Sequence, residues 1–311
     1  MPRIPRTDLD VFPLALGGNV FGWTADRETS FAVLDGYSAA GGDFIDTADM
    51  YSQWADGNDG GESETILGEW MASRGNRDDI VLATKVGKHH RANGLAPDVI
   101  RRAVDASLTR LQTDHIDLYY AHRDDPDVPI AEVLGAFGEL IEAGKVRAIG
   151  ASNFTADRLE AALKTADAEG LPRYVALQPH YNLMERDYEN DLAALAAAED
   201  LAVVPYYALA SGFLTGKYRD DATVDSPRAG KASRYLDDRG RRVLEALDQI
   251  AEAHETSPAT IALAWLAAKP QVVAPLASAR TVDQLPGLLS VDSVELTGDQ
   301  VVRLDRASET D

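Results

Sequence analysis

Short apolar runs alternate with longer segments of helical period along the chain. Eight runs predict strands: LALG at 14–17, FID at 44–46, IVLATKV at 80–86, IDLYYAH at 116–122, VRAIGAS at 146–152, YVALQ at 174–178, AVVPYY at 202–207 and VVAPLA at 272–277. Between them, apolar residues recur at helical spacing, as at Ile100, Val104 and Leu108. The predicted helices span residues 27–40, 62–73, 97–111, 130–143, 155–168, 187–199, 238–267 (as two helices) and 281–290. Asp98, Thr155 and Ser257 are the expected cap or first-turn residues.

Eight strand–helix units without a linker or a break in composition predict one closed (β/α)8 TIM barrel, of the α/β class, as a single domain over residues 1–311. Such a barrel takes about 250 residues, which leaves roughly 60 for additions. Residues 1–13 have the alternation and turn residues of an N-terminal β-hairpin. The polar segment 216–237 predicts an added loop at the C-terminal face, either a mobile cover over a ligand or a solvated loop without a role.

Composition narrows the class of protein. With 45% hydrophobic residues in 311, the chain has enough material for a large core, and the absence of cysteine excludes disulfides and thiolate chemistry. The formal net charge of −21 argues against binding to nucleic acid or to an anionic membrane surface, since both require a basic face. Only seven of the thirty basic residues are lysines, so Lys85 inside the apolar run IVLATKV is unusual.

No segment has the pattern of a targeting or membrane sequence. Asp8 and Asp10 interrupt the N-terminal region, which therefore lacks the apolar stretch of a secretory signal. The longest apolar run, LAVVPYYALA at 201–210, contains Pro205 and is about half the length that a membrane helix needs. The sequence therefore predicts a soluble, cytoplasmic protein with no membrane partner.

Ionisable side chains gather where the predicted strands end. In FIDTADMYSQW, residues 44–54, the apolar strand ends at Asp46 and Tyr51 follows in the loop. Lys85 lies near the end of the third predicted strand, and His122 ends the fourth. Catalytic residues of barrels lie at this face. Each residue also has an ordinary structural role open to it: Asp46 as a turn cap, Tyr51 as a rim aromatic, Lys85 as a side chain reaching solvent, and His122 as a core histidine.

Several motifs in register resemble the aldo-keto reductase superfamily. They are DTADMY (46–51), ESETILG (62–68), ATKVG (83–87), DLYYAH (117–122), GASNF (150–154), LQPHYN (177–182) and LTGKY (214–218). GGNVFGW near the start and HRDDPDVP after His122 look like the bacterial branch related to potassium-channel β subunits and inositol-operon reductases. The resemblance implies reduction of an aldehyde or ketone, or the reverse alcohol oxidation, by a nicotinamide cofactor.

The resemblance assigns four catalytic roles. Tyr51 is the general acid, Lys85 its electrostatic partner, Asp46 the residue that holds Lys85, and His122 the group that orients the carbonyl. The chemistry is consistent with these residue types, because a phenol with a pKa of about 10 is a useful acid near neutral pH only when its anion is stabilised.

The resemblance also implies a cofactor site without a Rossmann fingerprint, since Gly17-Gly18 has neither the spacing nor the context of one. The implied carboxamide and ring contacts are Ser152, Asn153, Gln178 and Tyr206. Leu214, Gly216 and Lys217, in LTGK, fall near the pyrophosphate. Arg280 and Gln284 fall near the adenosine. An arginine at 280 favours a 2′-phosphate, and hence NADPH over NADH, which stays open as an alternative. Ser152-Asn153 has a second interpretation as a helix N-cap.

One departure from the family pattern concerns the adenine. Family members often carry an acidic residue and an asparagine after the glutamine of this segment, whereas this chain has Gly287 and Leu288. The resemblance implies a small carbonyl or alcohol compound as the substrate. The loop residues Phe21, Trp23, Trp54 and His180 are the candidates for its pocket wall.

Two other functions are weighed. A metal-dependent barrel hydrolase would use ligands from Asp46, Asp49, His89, His90, His122 and Asp124 or Asp125, although a charged Lys85 would compete with a cation. A nicotinamide-sensing regulatory subunit with little turnover would retain the cofactor site alone. The expected site contains no metal, and the pattern is compatible with monomers and with multimers.

Overall fold

The computed structural model describes residues 1–219 and 229–310 and contains the eight parallel strands of the predicted barrel. In chain order, strands one to eight span Ala15–Gly17, Phe44–Asp46, Val81–Val86, Ile116–Ala121, Val146–Ser152, Tyr174–Gln178, Ala202–Val203 and Leu276–Ala277. Neighbours along the chain pair in parallel, and strand eight pairs with strand one through Ala15–Leu276 and Leu16–Ala277. A bridge between Val203 and Val272 links the remaining edges. The (β/α)8 fold is confirmed.

Helices cover the outside of the barrel. They are α1 (Arg27–Ala39), α2 (Glu62–Arg74), α3 (Pro97–Leu111), α4 (Ile130–Glu142), α5 (Ala156–Glu169), α6 (Leu192–Ala198), α7 (Ala229–Ser233), α8 (Asp238–Ala253), α9 (Pro258–Ala267), α10 (Leu285–Leu289) and α11 (Gly298–Ala307). Thr155 and Ser257 are N-caps as predicted, while Asp98 lies in the first turn of α3. Among the described helices, none has both the length and the apolar character needed to cross a bilayer.

Two buried layers follow from the period-two alternation of the strands. Residues such as Phe44, Ala83, Leu118 and Ala176 fill the barrel interior. The alternate positions, such as Ile45 and Leu82, pack outward in a larger cluster shared with the helices. The strands of this barrel are therefore buried on both faces, as is usual in parallel sheets.

The N-terminal hairpin closes one end of the barrel. Arg3 and Asp10 form an antiparallel bridge, and the Ile4 amide donates to the Leu9 carbonyl at 2.9 Å. Ile4, Leu9 and Val11 are buried in the same cluster as the barrel interior. The Phe12 amide donates to Asp43 just before strand two, so the hairpin lies at the end where strands begin. Ligands are therefore expected at the opposite end of the barrel, where the strands terminate.

The last two strands are shorter than predicted. The expected runs 202–207 and 272–277 contain Pro205 and Pro275, which lack the amide hydrogen that a ladder needs. Regular pairing therefore shrinks to Ala202–Val203 and Leu276–Ala277.

Several helical predictions also needed correction. The segment 187–199 is a 3-10 turn, Asp187–Glu189, followed by α6, and the segment 281–290 is a 3-10 turn, Val282–Gln284, followed by α10. Helix α11 was not predicted, although Thr297 and Gln300 form a capping box ahead of it. A short hairpin, Lys88–His89 with Ala92–Asn93, also lies where no element was predicted.

Only part of the predicted added loop, 216–237, belongs to the described residues. Residues 216–219 and 229–237 are described, and the latter include α7. Residues 220–228 of that prediction lie outside the described residues.

Candidate active site

Strand alternation places a polar layer above the apolar barrel interior. Asp46 comes two residues after Phe44, Lys85 two after Ala83, and Gln178 two after Ala176, so each polar side chain points to the same side as an interior apolar one. His122 follows Tyr120 in the same way. In each of these strands, the apolar residues that face the barrel interior are thus followed by a polar residue, and these polar residues form the site.

The loop after strand two carries Tyr51 over this layer. It continues to bond with strand three beyond the strand end, because the Thr47 amide donates to Ala83 at 2.8 Å and the Asp49 amide donates to Lys85 at 3.2 Å. A turn then closes with a bond from the Tyr51 amide to Ala48 at 3.1 Å. This path brings the phenol back to the ammonium of the strand beside it.

Three of the four predicted catalytic residues share hydrogen bonds. Lys85 Nζ lies 2.5 Å from Asp46 Oδ1 and donates to Tyr51 Oη at 2.9 Å and to the Thr47 carbonyl at 2.7 Å. Tyr51 Oη is 3.5 Å from Asp46 Oδ1. The fourth residue, His122, has its ring centroid 6.1 Å from that of Tyr51. The three donor protons of Lys85 are therefore all directed to acceptors.

The Lys85–Asp46 pair is fully buried, with both side chains 0% exposed. Burial lowers the pKa of Lys85 and raises the pKa of Asp46, and in each case the partner's charge opposes that effect. Gln178 Nε2 donates to the second carboxylate oxygen, Asp46 Oδ2, at 2.8 Å. Because both oxygens of Asp46 accept hydrogen bonds, the geometry fits an ionised pair.

His122 is a buried, neutral imidazole. Burial, together with the charges of Lys85, Lys88 and Arg123, lowers its pKa well below the ordinary value. Its Nδ1 has no hydrogen-bond partner among the described residues, and its ring lines the cavity beside Tyr51. A neutral imidazole has one ring donor and one acceptor to offer a ligand.

A second set of polar side chains borders the same cavity. Asn153 has φ of 56°, a left-handed conformation that asparagine tolerates, and its Nδ2 donates to the His122 carbonyl at 2.8 Å. Tyr206 Oη donates to Asn153 Oδ1 at 2.8 Å, and Ser152 Oγ donates to the Gln178 carbonyl at 2.9 Å. The four predicted carboxamide and ring residues are therefore brought together. The N-cap of α5 is Thr155 instead of Ser152 or Asn153.

The predicted pocket-wall residues divide into two pairs. Trp23 and Trp54 line this catalytic cavity, which has a volume of about 540 Å³, and their rings meet edge to face at 5.6 Å. Phe21 lines neither of the two main cavities, because it is fully buried in the outer core. His180 also lies behind the wall, where its ring stacks on Tyr206 at 5.2 Å with 12° between the planes.

A second cavity adjoins the first. This distal cavity, of about 490 Å³, shares Asn19, Trp23, Tyr207, Ser211 and Leu276 with the catalytic cavity. Its walls include the predicted cofactor residues Lys217, Arg280 and Gln284. The Gln284 side chain accepts a hydrogen bond from the Arg280 backbone amide at 2.8 Å, so these two residues of the wall are held together.

Between the two cavities the backbone bends through consecutive left-handed residues. Ala210, Ser211 and Gly212 have φ of 48°, 59° and 95°. An added Cβ at Gly212 would lie 3.7 Å from Lys217 Nζ, so the ammonium stands close above this bend. Backbone bends of this kind, with a cation beside them, suit an anion such as a pyrophosphate. The connected cavities, cationic at one end and holding the catalytic set at the other, fit a dinucleotide.

The LTGK prediction holds for only part of its residues. Lys217 lines the distal cavity, whereas Leu214 is fully buried and Gly216 lies outside the lining. Gly216 instead ends the preceding turn with φ of 80°. Thr215, Gly212 and Ser211 supply the cavity wall there. The positive φ angles of Ser211 and Gly212 have no unique sequence signal.

Gly287 and Leu288, the departures from the family pattern, both lie in the wall of the distal cavity. The nearest atom to an added Cβ at Gly287 would be Ser257 Oγ at 3.2 Å. No carboxylate or amide side chain stands at these two positions.

The proposed metal ligands do not converge. Among the described residues, no three His, Cys, Asp or Glu side chains form a group that could hold a metal ion. Asp49 is buried instead, and its carboxylate oxygens have no hydrogen-bond partner within the described part of the chain. Burial, with Glu64 nearby, raises the pKa of Asp49 well above its ordinary value.

Several residues of the catalytic cavity were not predicted from the sequence. They are Asn19, Met50, Lys88, Tyr207, Ser211, Lys231 and Leu276. Lys88 and Tyr207 were detectable in principle, since each lies one to three residues beyond a predicted site residue. Lys231 comes from the segment between strands seven and eight, and only tertiary structure places it here.

Comparison with known proteins agrees with this arrangement. Residues 13–309 match the Aldo/keto reductase family. Norsolorinic acid reductase B of Aspergillus parasiticus is 35% identical over 325 residues, which cover 99% of this chain and 83% of that protein. Protein tas of Escherichia coli is 34% identical over 331 residues, with coverage of 97% and 96%. The uncharacterized oxidoreductase YrpG of Bacillus subtilis is 35% identical over 308 residues, with coverage of 96% and 91%.

The family match spans nearly the whole chain, and two of these three relatives bear the name of a reductase or an oxidoreductase. Family members generally reduce carbonyl groups with NAD(P)H. This chain is an oxidoreductase that belongs to the aldo/keto reductase family.

Proposed function

We propose that the protein reduces an aldehyde or ketone with NADPH, and oxidises the corresponding alcohol in reverse, with Tyr51 as the proton donor. The observation that carries this proposal is the chain of contacts from Asp46 through Lys85 to Tyr51 at the floor of the catalytic cavity. A reduced nicotinamide, when bound, supplies the hydride that the carbonyl carbon accepts.

Lys85 makes the Tyr51 phenol an effective acid. As the carbonyl oxygen gains negative charge, the Tyr51 O–H proton passes to it and the phenol becomes a phenolate. The Lys85 ammonium, 2.9 Å from that oxygen, stabilises the phenolate in a buried setting where water screens the charge little. Solvent then returns a proton to Tyr51.

Asp46 and Gln178 keep Lys85 in position and charged. Without the carboxylate at 2.5 Å, burial would favour the neutral amine, which would stabilise the phenolate far less. Gln178 holds the other carboxylate oxygen, so the carboxylate cannot rotate away from Lys85 without losing a bond. Both residues act through Lys85 and are positioning residues.

His122 serves as a neutral hydrogen-bond partner for the substrate oxygen. A protonated imidazole beside Lys85 would add a second positive charge to a buried site, and the lowered pKa of His122 avoids this. An N–H directed into the cavity would orient the carbonyl beside Tyr51.

Tyr206 and its neighbours suit a nicotinamide. His180 supports one face of the Tyr206 ring, which leaves the other face for a flat heterocycle. Ser152, Asn153 and Gln178 provide the amide and hydroxyl groups that a carboxamide would bind. We assign the hydride-donor ring to this corner of the cavity.

The distal cavity suits the rest of NADPH. Lys217 and the bend at 210–212 would hold the pyrophosphate, and Arg280 would form a forked contact with a 2′-phosphate. Gly287 and Leu288 offer no polar side chain to the adenine. The phosphates therefore carry more of the cofactor affinity here than they do where the acidic residue and the asparagine are present.

A regulatory subunit without turnover is not favoured, because such a protein would have no use for the buried Lys85–Asp46 pair. Retaining that pair costs desolvation energy. The contact between Lys85 and Tyr51 would assist proton transfer, but it would contribute nothing to cofactor sensing.

Tyr51→Phe is expected to lower kcat for reduction of 4-nitrobenzaldehyde by about 10²- to 10⁴-fold, because the proton donor is lost. The dissociation constant for NADPH, measured by fluorescence titration, should stay within about twofold, since no binding energy from Tyr51 is assigned to the cofactor. Tyr188→Phe, which removes a hydroxyl outside the two cavities, is the control. A wild-type kcat in Tyr51→Phe would remove Tyr51 from the acid role.

Arg280→Ala is expected to raise the dissociation constant for NADPH about tenfold or more, and that for NADH much less, because only NADPH carries the 2′-phosphate. Lys217→Met is the matched comparison: it should weaken both cofactors alike, since the pyrophosphate is common to both. Equal effects of Arg280→Ala on the two cofactors would show that Arg280 does not contact the 2′-phosphate.

The neutral state of His122 predicts a pH-dependent stability. Because the pKa is lower in the folded protein than in the unfolded chain, whose value is near 6.5, the unfolded chain binds the proton first. The His122 contribution to the free energy of unfolding is therefore complete above about pH 6.5 and falls below it, by up to about 1.4 kcal/mol per pH unit. In urea unfolding between about pH 7.5 and pH 5, His122→Gln should show a shallower decline than the wild type.

His90→Gln, which removes an exposed imidazole, is the control for that experiment. If His122→Gln and the wild type have parallel curves, the imidazole is not held neutral by burial.

A further inference from the structure

The catalytic cavity has a charge that contrasts with the rest of the chain. The whole sequence has 51 acidic and 30 basic residues, and seven of the basic residues are lysines. Two of those lysines, Lys88 and Lys231, line the catalytic cavity, and no described acidic side chain does. A positive lining in a protein of net charge −21 calls for an explanation in terms of what the cavity binds.

Lys88 enters the cavity from the short hairpin that follows strand three. It is half-buried, and the titratable or charged groups around its ammonium are Lys85, His122 and Arg123, none of them anionic. Within the described residues Lys88 has no ion-pair partner. Burial and the charges of Lys85 and Arg123 lower its pKa to about 8. The chain thus holds an ammonium in an unfavourable place, at the edge of its own reaction site.

Lys231 reaches the same cavity from α7, in the segment between strands seven and eight. Neither does it form an ion pair with any residue in the described ranges. Its helix contains only small neighbours, AGKAS, so the long lysine side chain is the element of α7 that extends into the cavity.

One part of the remaining wall is aromatic and apolar. Trp54 is 43% exposed, its ring packs edge to face against Trp23 and Tyr51, and Met50 and Leu276 belong to the same wall. The polar residues of the remaining lining are uncharged: Asn19, Ser152, Asn153, Gln178 and Ser211. Such a wall suits a ring or a hydrocarbon body in the ligand. A negatively charged group on the same ligand would be bound by the two lysines.

We propose that the substrate is an anionic carbonyl compound, an aldehyde or ketone whose apolar body bears a carboxylate, and that Lys88 and Lys231 bind the carboxylate while Tyr51 receives the carbonyl. This rests on the proposed reductase function and adds the substrate class. Lysines provide point charges for a carboxylate, and the described cavity wall contains no arginine.

The test compares two aldehydes with the same ring and the same reacting group: 4-formylbenzoate and its neutral methyl ester. With saturating NADPH near pH 7 and low ionic strength, the wild type should show a kcat/KM for the anion about tenfold or more above that for the ester. Lys88→Met and Lys231→Met should each reduce that ratio about tenfold. Lys164→Met, which removes an exposed lysine paired with Glu160 on α5, should leave the ratio unchanged.

A pH series distinguishes charge from shape. The carboxylate stays ionised above about pH 6, so the ratio should be constant between about pH 6 and pH 7. It should then fall through pH 8 as Lys88, with its pKa of about 8, loses its proton. Lys88→Arg should retain the preference at high pH, because a guanidinium stays charged. Added salt should reduce the ratio as well.

Each failure has a distinct meaning. Turnover of neither aldehyde would contradict the proposed function itself. Turnover of both with equal kcat/KM in the wild type would overturn the anionic substrate while leaving the reductase intact, even if the lysine variants fail to fold. If Lys231→Met weakens NADPH binding and leaves the ratio unchanged, Lys231 binds the cofactor phosphates, and the two-lysine site is wrong.

Discussion

A buried ion pair, Lys85 with Asp46, is the interaction on which the site depends. Removing two charges from water costs several kcal/mol per ion, and only good geometry offsets it. Here Lys85 donates to Asp46, Tyr51 and the Thr47 carbonyl, and Gln178 completes the carboxylate. The charges lie within hydrogen-bonding distance of the phenol. In the proposed reaction, the fixed positive charge of Lys85 acts there on a developing anion.

The barrel confines this cost to a single layer. Below it, Phe44, Ala83 and Ala176 close the interior without polar groups, and the N-terminal hairpin seals the far end with Ile4, Leu9 and Val11. The dry floor keeps the local dielectric low, so each charge above it acts strongly on its neighbours. The same property sets His122 neutral and leaves Lys88 half-protonated near pH 8. In the proposed reaction, the same apolar barrel interior thus influences proton supply, carbonyl orientation and the charge presented to a ligand.

Sequence reasoning succeeded where the information is local. The apolar runs of strands two, three and four were enough to predict that Asp46, Lys85 and His122 lie at or near the ends of neighbouring strands. The resemblance supplied their roles. The predictions were wrong or incomplete where the outcome depends on how distant segments of the chain pack together. Pro205 and Pro275 shortened two strands, and helix α11 lies beyond the last predicted element despite its capping box. Phe21 and His180 are close in sequence to cavity residues but face the core or the back of Tyr206. Lys231 joins the cavity only because a distant segment folds over the barrel mouth.

The hydrogen bond from Gln178 to Asp46 spans 132 positions of the chain. During synthesis from the N-terminus, strands one to three emerge early, so Asp46, Tyr51 and Lys85 are available long before the strand that holds Gln178. Strand one pairs with strand two, but it must wait longer still for its second partner, residues 276–277. Non-local pairings of this kind form slowly. Tyr51, the proposed proton donor, is thus synthesised early and its surroundings are completed late. A ribosome-bound fragment that ends before strand six would contain Asp46, Tyr51 and Lys85 without the hydrogen bond from Gln178 that holds Asp46.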